Sequence, residues 1–293
     1  MKILITGANG LLGQALVSQC TEKKIDFIAT SNGKNRNPDC PFKLYDQLDI
    51  TNSLQVEKVL VRHSPTHIIN TAAMTNVDKC EALPEECQQL NVEAVKYLFN
   101  WCTENEAHFQ QLSTDFIFDG EEGDYKEDAV PNPLSEYGKS KLLAEEFLLK
   151  SDYKNSSIIR TSVVYGSGNN LSKSNIVLWA MEALSQKKKL TIVSDQYRTP
   201  TWSEDLALGC LGVILNHKRG IYNIAGPVEK SMHDFVVKIA EYLNISKNLV
   251  VAINSETLNQ VAKRPLKSGL NILKAKADFN YTPISFIDSL SKL

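Results

Sequence analysis

Two patterns of hydrophobic and polar positions alternate along the first half of the chain. Short apolar runs, such as 3–5 and 25–30, are typical of strands buried in a sheet, and apolar residues at three- and four-residue spacing within 11–20 are typical of an amphipathic helix. The alternation predicts an α/β fold with a parallel sheet and helices on both faces. The same patterns predict further strands over 42–45, 67–73, 109–113 and 157–165, and further helices around 56–60, 91–103 and 137–150.

A glycine-rich segment, ITGANGLLG, joins the first predicted strand to the first predicted helix. In such a loop the first glycine permits a sharp turn, the second lets the backbone approach a pyrophosphate, and the third lets helix pack on strand. The N–H groups of the helix N-terminus would bind the phosphates. A glycine turn without a ligand is the alternative, but the position after the first strand favours a dinucleotide site. Its predicted members are Gly7, Asn9, Gly10, Leu11, Leu12 and Gly13.

The second predicted strand leads into SNGKNR, residues 31–36, without the Asp or Glu that would bind the ribose 2′-hydroxyl of NAD. Ser31, Lys34 and Arg36 would suit the 2′-phosphate of NADP instead. A solvated basic turn explains Lys34 and Arg36 individually about as well. The sequence therefore favours NADPH as cofactor and leaves NADH open.

The regular alternation loosens after Tyr165. We predict helices near 174–186, 203–217 and 231–243 and strands near 190–194 and 221–225. The expected architecture is a Rossmann-type doubly wound sheet with a smaller, interleaved C-terminal substrate-binding lobe. The expected domains are an NAD(P)-binding domain over 1–165, to which segments within about 190–225 return, and a mainly substrate-binding lobe over 166–293.

The segment YGKSK places Tyr137 and Lys141 four residues apart at the start of a predicted helix, so their side chains share one face. An ammonium beside a phenol favours phenolate and lowers its pKa, and such a tyrosine could donate a proton to a ketone oxygen. Ser113, Thr114 and Asp115 follow the preceding strand, where a hydroxyl could hold the same oxygen. A surface pair is the usual explanation of this spacing, but the glycine loop and these hydroxyls favour a catalytic site.

These motifs resemble the extended short-chain dehydrogenase/reductases, whose cofactor loop is Thr-Gly-x-x-Gly-x-x-Gly and whose catalytic pair is Tyr-x-x-x-Lys. The resemblance implies an NAD(P)H-dependent oxidoreductase that reduces a nucleotide-linked 4-keto-6-deoxy sugar, as in dTDP-L-rhamnose formation. Blocks similar to those of dTDP-4-dehydrorhamnose reductases extend from residue 1 to about 275: NTAAMTNVDKCEALPEECQQLNVEAV, STDFIFDG, PLSEYGKSK, RTSVVYG, DQYRTPTW and RPLKSGLN.

The resemblance also implies individual roles. Thr114 would be the hydroxyl partner, Tyr137 the general acid, and Lys141 both the pKa-lowering charge and a ligand of the nicotinamide ribose. Asp115, counted with the catalytic residues, would lie beside the sugar. Asp49 and Ile50 would flank the adenine, and Ala72, Ala73 and Asn91 would line the cofactor cleft. Substrate contacts would come from Thr75, Val77, Asp78, Arg198 and Arg264.

The chain departs from the reductase pattern at two places. Val163 stands where many of these reductases have a tryptophan after Arg-Thr-Ser, which removes a flat wall expected to pack on the sugar and leaves the substrate open. Some members use glutamates for a magnesium-linked dimer, one of them in the first helix, where this chain has Gln14-Ala15-Leu16. We therefore predict no metal, with a homodimer still possible.

Two other functions are compatible with the motifs. A relative of these reductases binds NADP as the non-catalytic regulatory subunit of methionine adenosyltransferase, although an intact Thr114, Tyr137 and Lys141 argue against that role here. An epimerase is the other alternative, because its additional acid or base could lie in the variable lobe. A dehydratase is less compatible, since Phe116 follows Asp115 where dehydratases tend to have a glutamate.

Composition and charge add limits on partners and location. The formal net charge of −2 gives no electrostatic reason to expect nucleic acid or an anionic membrane as a partner. The six cysteines are scattered without zinc-site spacing and are expected to be reduced thiols. The N-terminus leads directly into the glycine loop, and no apolar run is long enough to span a membrane. We therefore expect a cytoplasmic protein.

Overall fold

A parallel sheet of seven strands lies at the centre of the computed structural model, which describes residues 1–258 and 260–293. The strands are β1 (Lys2–Thr6), β2 (Asp26–Ser31), β3 (Tyr45–Gln47), β4 (His67–Asn70), β5 (His108–Thr114), β6 (Ser156–Thr161), β7 (Val164–Tyr165), β8 (Leu190–Val193), β9 (Tyr197–Arg198), β10 (Thr201–Trp202), β11 (Gly220–Asn223), β12 (Lys230–Ser231) and β13 (Val250–Ile253). The order across the large sheet is β11-β6-β5-β4-β1-β2-β3, and every neighbouring pair is parallel.

Helices cover both faces of this sheet. They are α1 (Leu11–Glu22), α2 (Ser53–His63), α3 (Val77–Ala82), α4 (Pro84–Gln88), α5 (Ala94–Glu104), α6 (Glu136–Lys150), α7 (Ile176–Ser185), α8 (Ser203–Leu215), α9 (Met232–Tyr242), α10 (Leu273–Phe279) and α11 (Phe286–Leu290), with a π-helical turn, Gln89–Glu93, between α4 and α5. One core forms between the sheet and α1 and α8, and a second between the sheet and α2, α5 and α6. The predicted doubly wound α/β fold is confirmed.

Burial explains why the central strands are apolar throughout rather than alternating. Ile3, Leu4 and Ile5 in β1 are all fully buried, because consecutive side chains face the two opposite helical layers. The reversal of strand order lies beside β1, between β2 and β4. In open α/β sheets ligands bind at such a reversal, outside the carboxyl ends of the strands.

A third core belongs to the C-terminal half and joins α7, α9 and α11 to small sheets. The strand β8, within the range expected to return to the main sheet, pairs with β13 instead, whereas β11 does pair with β6. Two further pairs, β7 with β10 and β9 with β12, complete the small sheets. The boundary between domains at residue 165 stays a prediction.

The strand predicted over 157–165 is interrupted. Val163 has φ +40°, an unusual backbone conformation for a β-branched residue, so the chain turns away from the sheet after β6. Thr201 holds this turn, with its N–H donating to the Val163 carbonyl (3.2 Å) and its hydroxyl to the Ser162 carbonyl (2.8 Å). The turn directs β7 to the small sheet with β10.

The strand predicted over 42–45 is wrong for most of its length. Phe42–Leu44 forms a 3₁₀ turn, and β3 begins only at Tyr45. The apolar pattern misleads because Phe42 is exposed rather than directed into the core. The expected helix over 91–103 exists, but the chain is already helical from Pro84.

A fully buried ion pair connects α6 to β6. The guanidinium of Arg160 donates through Nη2 and Nε to the carboxylate of Glu145, at 2.7 and 3.2 Å. Its Nη1 donates to the carbonyl of Glu127 at 2.9 Å. Each charged nitrogen and oxygen of this buried pair therefore has a hydrogen-bond partner, as buried charges require. The pair fixes the helix that carries Tyr137 and Lys141 against the sheet.

All six cysteines are buried free thiols. Burial raises the pKa of Cys20 to about 12 and of Cys40 to about 11, which keeps these thiols protonated at neutral pH. Within 1–258 and 260–293 no helix combines the length and the apolar character needed to cross a membrane.

Candidate active site

The glycine loop lies between β1 and α1, at the reversal of strand order. Gly7 has φ +64°, and a Cβ there would lie 2.8 Å from the backbone nitrogen of Ala72, so only glycine fits this turn. A Cβ on Gly13 would clash with the Gly7 carbonyl, because α1 packs directly on the loop. At Gly10 the nearest atom to a Cβ is the Gly7 carbonyl oxygen, 3.2 Å away, which leaves its outer side open.

The N-terminus of α1 has the properties of an anion site. Gly10, its N-cap residue, provides no side-chain hydrogen bond, and the first turn contains no acidic residue. Leu11 and Leu12 in that turn are half-buried. The uncapped N–H groups and the positive end of the helix dipole are therefore available to a phosphate, so the residues present fit a dinucleotide pyrophosphate.

Asn9 joins the glycine loop to the turn after β2. Its amide donates to the Lys34 carbonyl (2.9 Å), and its oxygen accepts from the Arg36 N–H (2.9 Å). The side chain of Asn9 is thus used to position the turn. Ser31 is half-buried, and Lys34 and Arg36 are exposed beside the loop, as a contact with the adenosine end of a dinucleotide requires.

The remaining predicted cofactor residues follow β3 and β4. The Asp49 carboxylate accepts from the N–H (3.0 Å) and hydroxyl (2.7 Å) of Thr51, and Ile50 is buried. Ala72 and Ala73 are half-buried beyond the end of β4. Asn91 is buried in the π-helical turn, a feature frequent at functional sites, and fixes the loop after β4.

Asn91 also connects that loop to α6. Its oxygen accepts from the Met74 N–H (2.8 Å), and its amide donates to the Met74 carbonyl (3.1 Å) and the Ser140 hydroxyl (3.0 Å). The Asn91 side chain therefore makes its hydrogen bonds within the protein. Asn91 places the 72–76 segment opposite the helix face that carries Tyr137 and Lys141.

Thr114, Tyr137 and Lys141 lie together at the carboxyl end of β5. Ser135 caps α6 by accepting from the Gly138 N–H (3.2 Å), and Gly138 packs without a side chain against the carbonyl of Phe116. This close approach brings the first turn of α6 onto the turn that follows Thr114. Phe116 meets the Tyr137 ring edge to face at 5.9 Å.

Burial has the largest effect on the pKa values of Tyr137 and Lys141. It raises the pKa of Tyr137, against a smaller lowering by hydrogen bonding with Thr114, and it lowers the pKa of Lys141 to about 8, against the attraction of Glu145. The expected lowering of the Tyr137 pKa is therefore wrong for this structure, because desolvation has the larger effect on the half-buried Tyr137 and Lys141 is itself less readily charged. The side chain of Lys141 is itself buried.

Asp115 is at the centre of a buried polar cluster. Its Oδ2 accepts from the Ser268 hydroxyl and lies 3.5 Å from Arg198 Nε, while its Oδ1 accepts from the Thr114 hydroxyl (3.3 Å). Burial raises the pKa of Asp115 and the Arg198 charge opposes that rise. Arg198 also donates to the Pro265 carbonyl (2.7 Å). Arg198 therefore forms a buried ion pair with Asp115. Its contact with substrate stays a prediction.

Sequence reasoning missed Ser268. It lies in the quoted block RPLKSGLN, but no local spacing relates it to Asp115, 153 residues earlier. The block was recognised only for Arg264. The serine reaches the site because Gly269 is tied to Tyr125, with the Tyr125 N–H donating to the Gly269 carbonyl at 2.8 Å.

The predicted substrate residues form a second group across the cleft. Arg264 Nη2 donates to Asp78 Oδ2 (2.8 Å), and the Ala262 N–H donates to Asp78 Oδ1 (3.0 Å). The guanidinium lowers the pKa of Asp78, which is thus an anion at neutral pH. Thr75 is exposed and Val77 half-buried on the same segment, and Val163 is half-buried at its turn.

Comparison with known proteins places this site in a family. The family described as RmlD substrate binding domain matches residues 1–293. A dTDP-4-dehydrorhamnose reductase from Aggregatibacter actinomycetemcomitans is 32% identical over 305 residues, covering 100% of this chain and 98% of that protein. Methionine adenosyltransferase 2 subunit beta from Xenopus tropicalis is 28% identical, covering 93% of this chain and 81% of that protein.

A solved structure matches the fold at full length. It is a dTDP-4-dehydrorhamnose reductase from Bacillus anthracis str. Ames in complex with NADP, with a TM-score of 0.86 and 28% identity, covering 99% of this chain and 97% of that one. The match spans the central sheet and the C-terminal lobe alike. The chain belongs to the RmlD substrate binding domain family, the dTDP-4-dehydrorhamnose reductase-like group of extended short-chain dehydrogenase/reductases.

Proposed function

We propose that this protein is an NADPH-dependent oxidoreductase that reduces the C4 ketone of a dTDP-linked 4-keto-6-deoxy sugar, as a dTDP-4-dehydrorhamnose reductase. The observation that carries the proposal is the meeting of Thr114, Tyr137 and Lys141 beside an uncapped helix N-terminus at the reversal of the sheet. The named relatives and the NADP complex of a neighbour support the substrate class and the cofactor.

The chain's own residues supply binding and proton transfer. When bound, the reduced nicotinamide would supply a hydride to the ketone carbon. Tyr137, whose pKa is raised by burial, stays protonated at neutral pH and donates its proton to the ketone oxygen. The single hydroxyl proton of Thr114 donates to Asp115 Oδ1 in this structure (3.3 Å) and would turn to the ketone oxygen to hold it.

Lys141 and the cofactor residues complete the proposal. The buried Lys141 ammonium would bind the nicotinamide ribose. The loop from Gly7 to Gly13 would bind the pyrophosphate, and Ser31, Lys34 and Arg36 the 2′-phosphate. Asp49 and Ile50 would flank the adenine, with Ala72, Ala73 and Asn91 along the cleft. The residues proposed to contact the substrate are Thr75, Val77, Asp78, Val163, Arg198 and Arg264. A homodimer and a cytoplasmic location are carried forward as predictions.

The proposed activity is tested with purified protein, NADPH and dTDP-4-dehydrorhamnose, by following the absorbance of the reduced nicotinamide. We expect stoichiometric oxidation of NADPH and formation of dTDP-L-rhamnose. Tight binding of NADPH without oxidation would instead favour a regulatory role like that of the methionine adenosyltransferase 2 subunit beta relative. Conversion of the sugar without net cofactor consumption would favour an epimerase.

The pKa of Lys141 predicts an alkaline limit to activity. Because burial lowers this pKa from 10.5 to about 8, the amine is charged below pH 8 and neutral above it. We expect kcat/KM to fall by about tenfold per pH unit above that point, as the charge that binds the ribose is lost. Lys141→Arg should keep its charge and remove this limb from the profile, whatever its absolute rate. A wild-type profile that is flat to pH 10 would contradict the assignment.

A further inference from the structure

Residues 166–173, between β7 and α7, make hydrogen bonds to α1 and to the turn after β2; we call this segment the strap. It begins at Gly166, whose carbonyl accepts from the amide of Asn175 (2.7 Å) at the start of α7. Its outer residues Ser172 and Lys173 are exposed. It has no regular secondary structure, so its position depends on contacts with its neighbours.

The first of these contacts comes from the cofactor helix. Gln14 is buried in the opening turns of α1, and its amide donates to the Asn169 carbonyl at 2.7 Å. Its side-chain oxygen accepts from the Asn169 N–H at 2.8 Å. The same amide also donates to the Asn9 carbonyl inside the glycine loop, at 3.2 Å. One side chain thus joins the strap to the loop that would bind the pyrophosphate.

The second contact reaches the turn after β2. Asn170 donates from its amide to the Arg36 carbonyl (3.0 Å), and Asn169 donates to the Asp39 carboxylate (2.8 Å). Arg36 is therefore held from two sides, since its N–H already donates to Asn9. The strap consequently touches both parts of the protein that would enclose the adenosine half of a dinucleotide.

The far end of the strap is related to α3. The ammonium of Lys173 is close enough to Cys80, on α3, to oppose the rise that burial causes in the pKa of that thiol. The strap therefore runs from the glycine loop towards the side of the cleft that bears Asp78 and Thr75.

We propose that Gln14 is a positioning residue that latches the strap over the cofactor loop, so that bound NADPH is released only when this latch opens. The inference rests on the proposed cofactor and adds a role that the glycine motif does not contain. The two hydrogen bonds of Gln14 to the backbone N–H and carbonyl of Asn169 require both the donor and the acceptor of an amide.

The test measures the release rate of NADPH, by stopped-flow displacement with excess NADP⁺, in the full-length protein. The variants are Gln14→Leu, which removes the latch without adding charge, and Asn170→Ala, which removes the contact with Arg36. The matched control is Gln19→Leu on the same helix, where the side chain donates to Glu204 (3.0 Å) and not to the strap. Asn170→Ala loses one hydrogen bond and Gln14→Leu loses three, and each variant is expected to speed release by at least about tenfold.

The double variant separates a latch from general damage. If both contacts hold the same segment, Gln14→Leu/Asn170→Ala should release NADPH about as fast as either single variant, because either change frees the strap. Trypsin cleavage after Lys173 should be suppressed by NADPH in the wild type and much less in the latch variants.

Three results would overturn the proposal. The first is a Gln14→Leu protein that releases NADPH as slowly as the wild type. The second is a Gln19→Leu protein that releases it as fast as Gln14→Leu does. The third is a double variant whose release rate is about a hundredfold that of the wild type, because the two single effects multiply. Failure of the wild type to bind NADPH would overturn the proposed cofactor as well, so the two conclusions fail by different observations.

Discussion

Replacement of Tyr137 by phenylalanine is expected to lower kcat by about a thousandfold, within the range that a positioned general acid contributes. The change removes only the hydroxyl that would protonate the ketone oxygen. The ring contact with Phe116 at 5.9 Å and the cap at Ser135 remain, so α6 should keep its position. NADPH affinity is therefore expected to stay within about twofold of the wild type, measured by cofactor fluorescence beside steady-state kinetics.

The matched control is Tyr242→Phe, which removes a hydroxyl from an exposed side chain on α9, away from the cleft. Its turnover should equal that of the wild type. A Tyr137→Phe protein that keeps kcat within about threefold would show that another group supplies the proton. Loss of NADPH affinity together with turnover would indicate a binding role instead.

Replacement of Arg160 by methionine is expected to lower the free energy of unfolding by about 3–5 kcal/mol, the usual effect of breaking a buried ion pair. Glu145 is completely buried, and its carboxylate would lose the donors at 2.7 and 3.2 Å. It would then have to remain charged without a partner or take up a proton. Urea denaturation at neutral pH, followed by circular dichroism, measures the change.

Two further variants make this expectation specific. Lys150→Met breaks the exposed pair with Glu146 on the same helix, and the free energy of unfolding should change by less than about 0.5 kcal/mol. The double variant Arg160→Met/Glu145→Leu removes both charges and should recover most of the loss, since no unpaired charge is left. Equal losses in Arg160→Met and Lys150→Met would show that burial of the pair does not matter.

The parts of the site that could be predicted are those encoded by short spacings. The glycines at 7, 10 and 13 and the pair Tyr137 and Lys141 lie within single turns or loops, where local geometry determines their relation. The order of strands and helices followed similarly from apolar periodicity. The roles of the individual site residues stay predictions, although the structure gathers Thr114, Tyr137 and Lys141 at one edge of the sheet.

The contacts that could not be predicted join residues far apart in sequence. Ser268 meets Asp115 across 153 residues, and Gln14 meets Asn169 across 155, so no periodicity reveals either. The raised pKa of Tyr137 could not be predicted for a related reason, because burial depends on the complete fold and outweighs the hydrogen bond with Thr114. The interrupted strand at Val163 depends likewise on a turn held by Thr201.

The strand order has a consequence for the behaviour of the protein at high concentration. The outermost strands of the large sheet are short, with three residues in β3 and four in β11, and β3 carries Asp46 while Arg219 precedes β11. Short edge strands with charged residues in or beside them offer few unpaired backbone groups to another molecule. The longer apolar strands lie between other strands of the sheet. The strand order thus disfavours edge-to-edge aggregation, because the apolar strands that could pair with another molecule are buried inside the sheet.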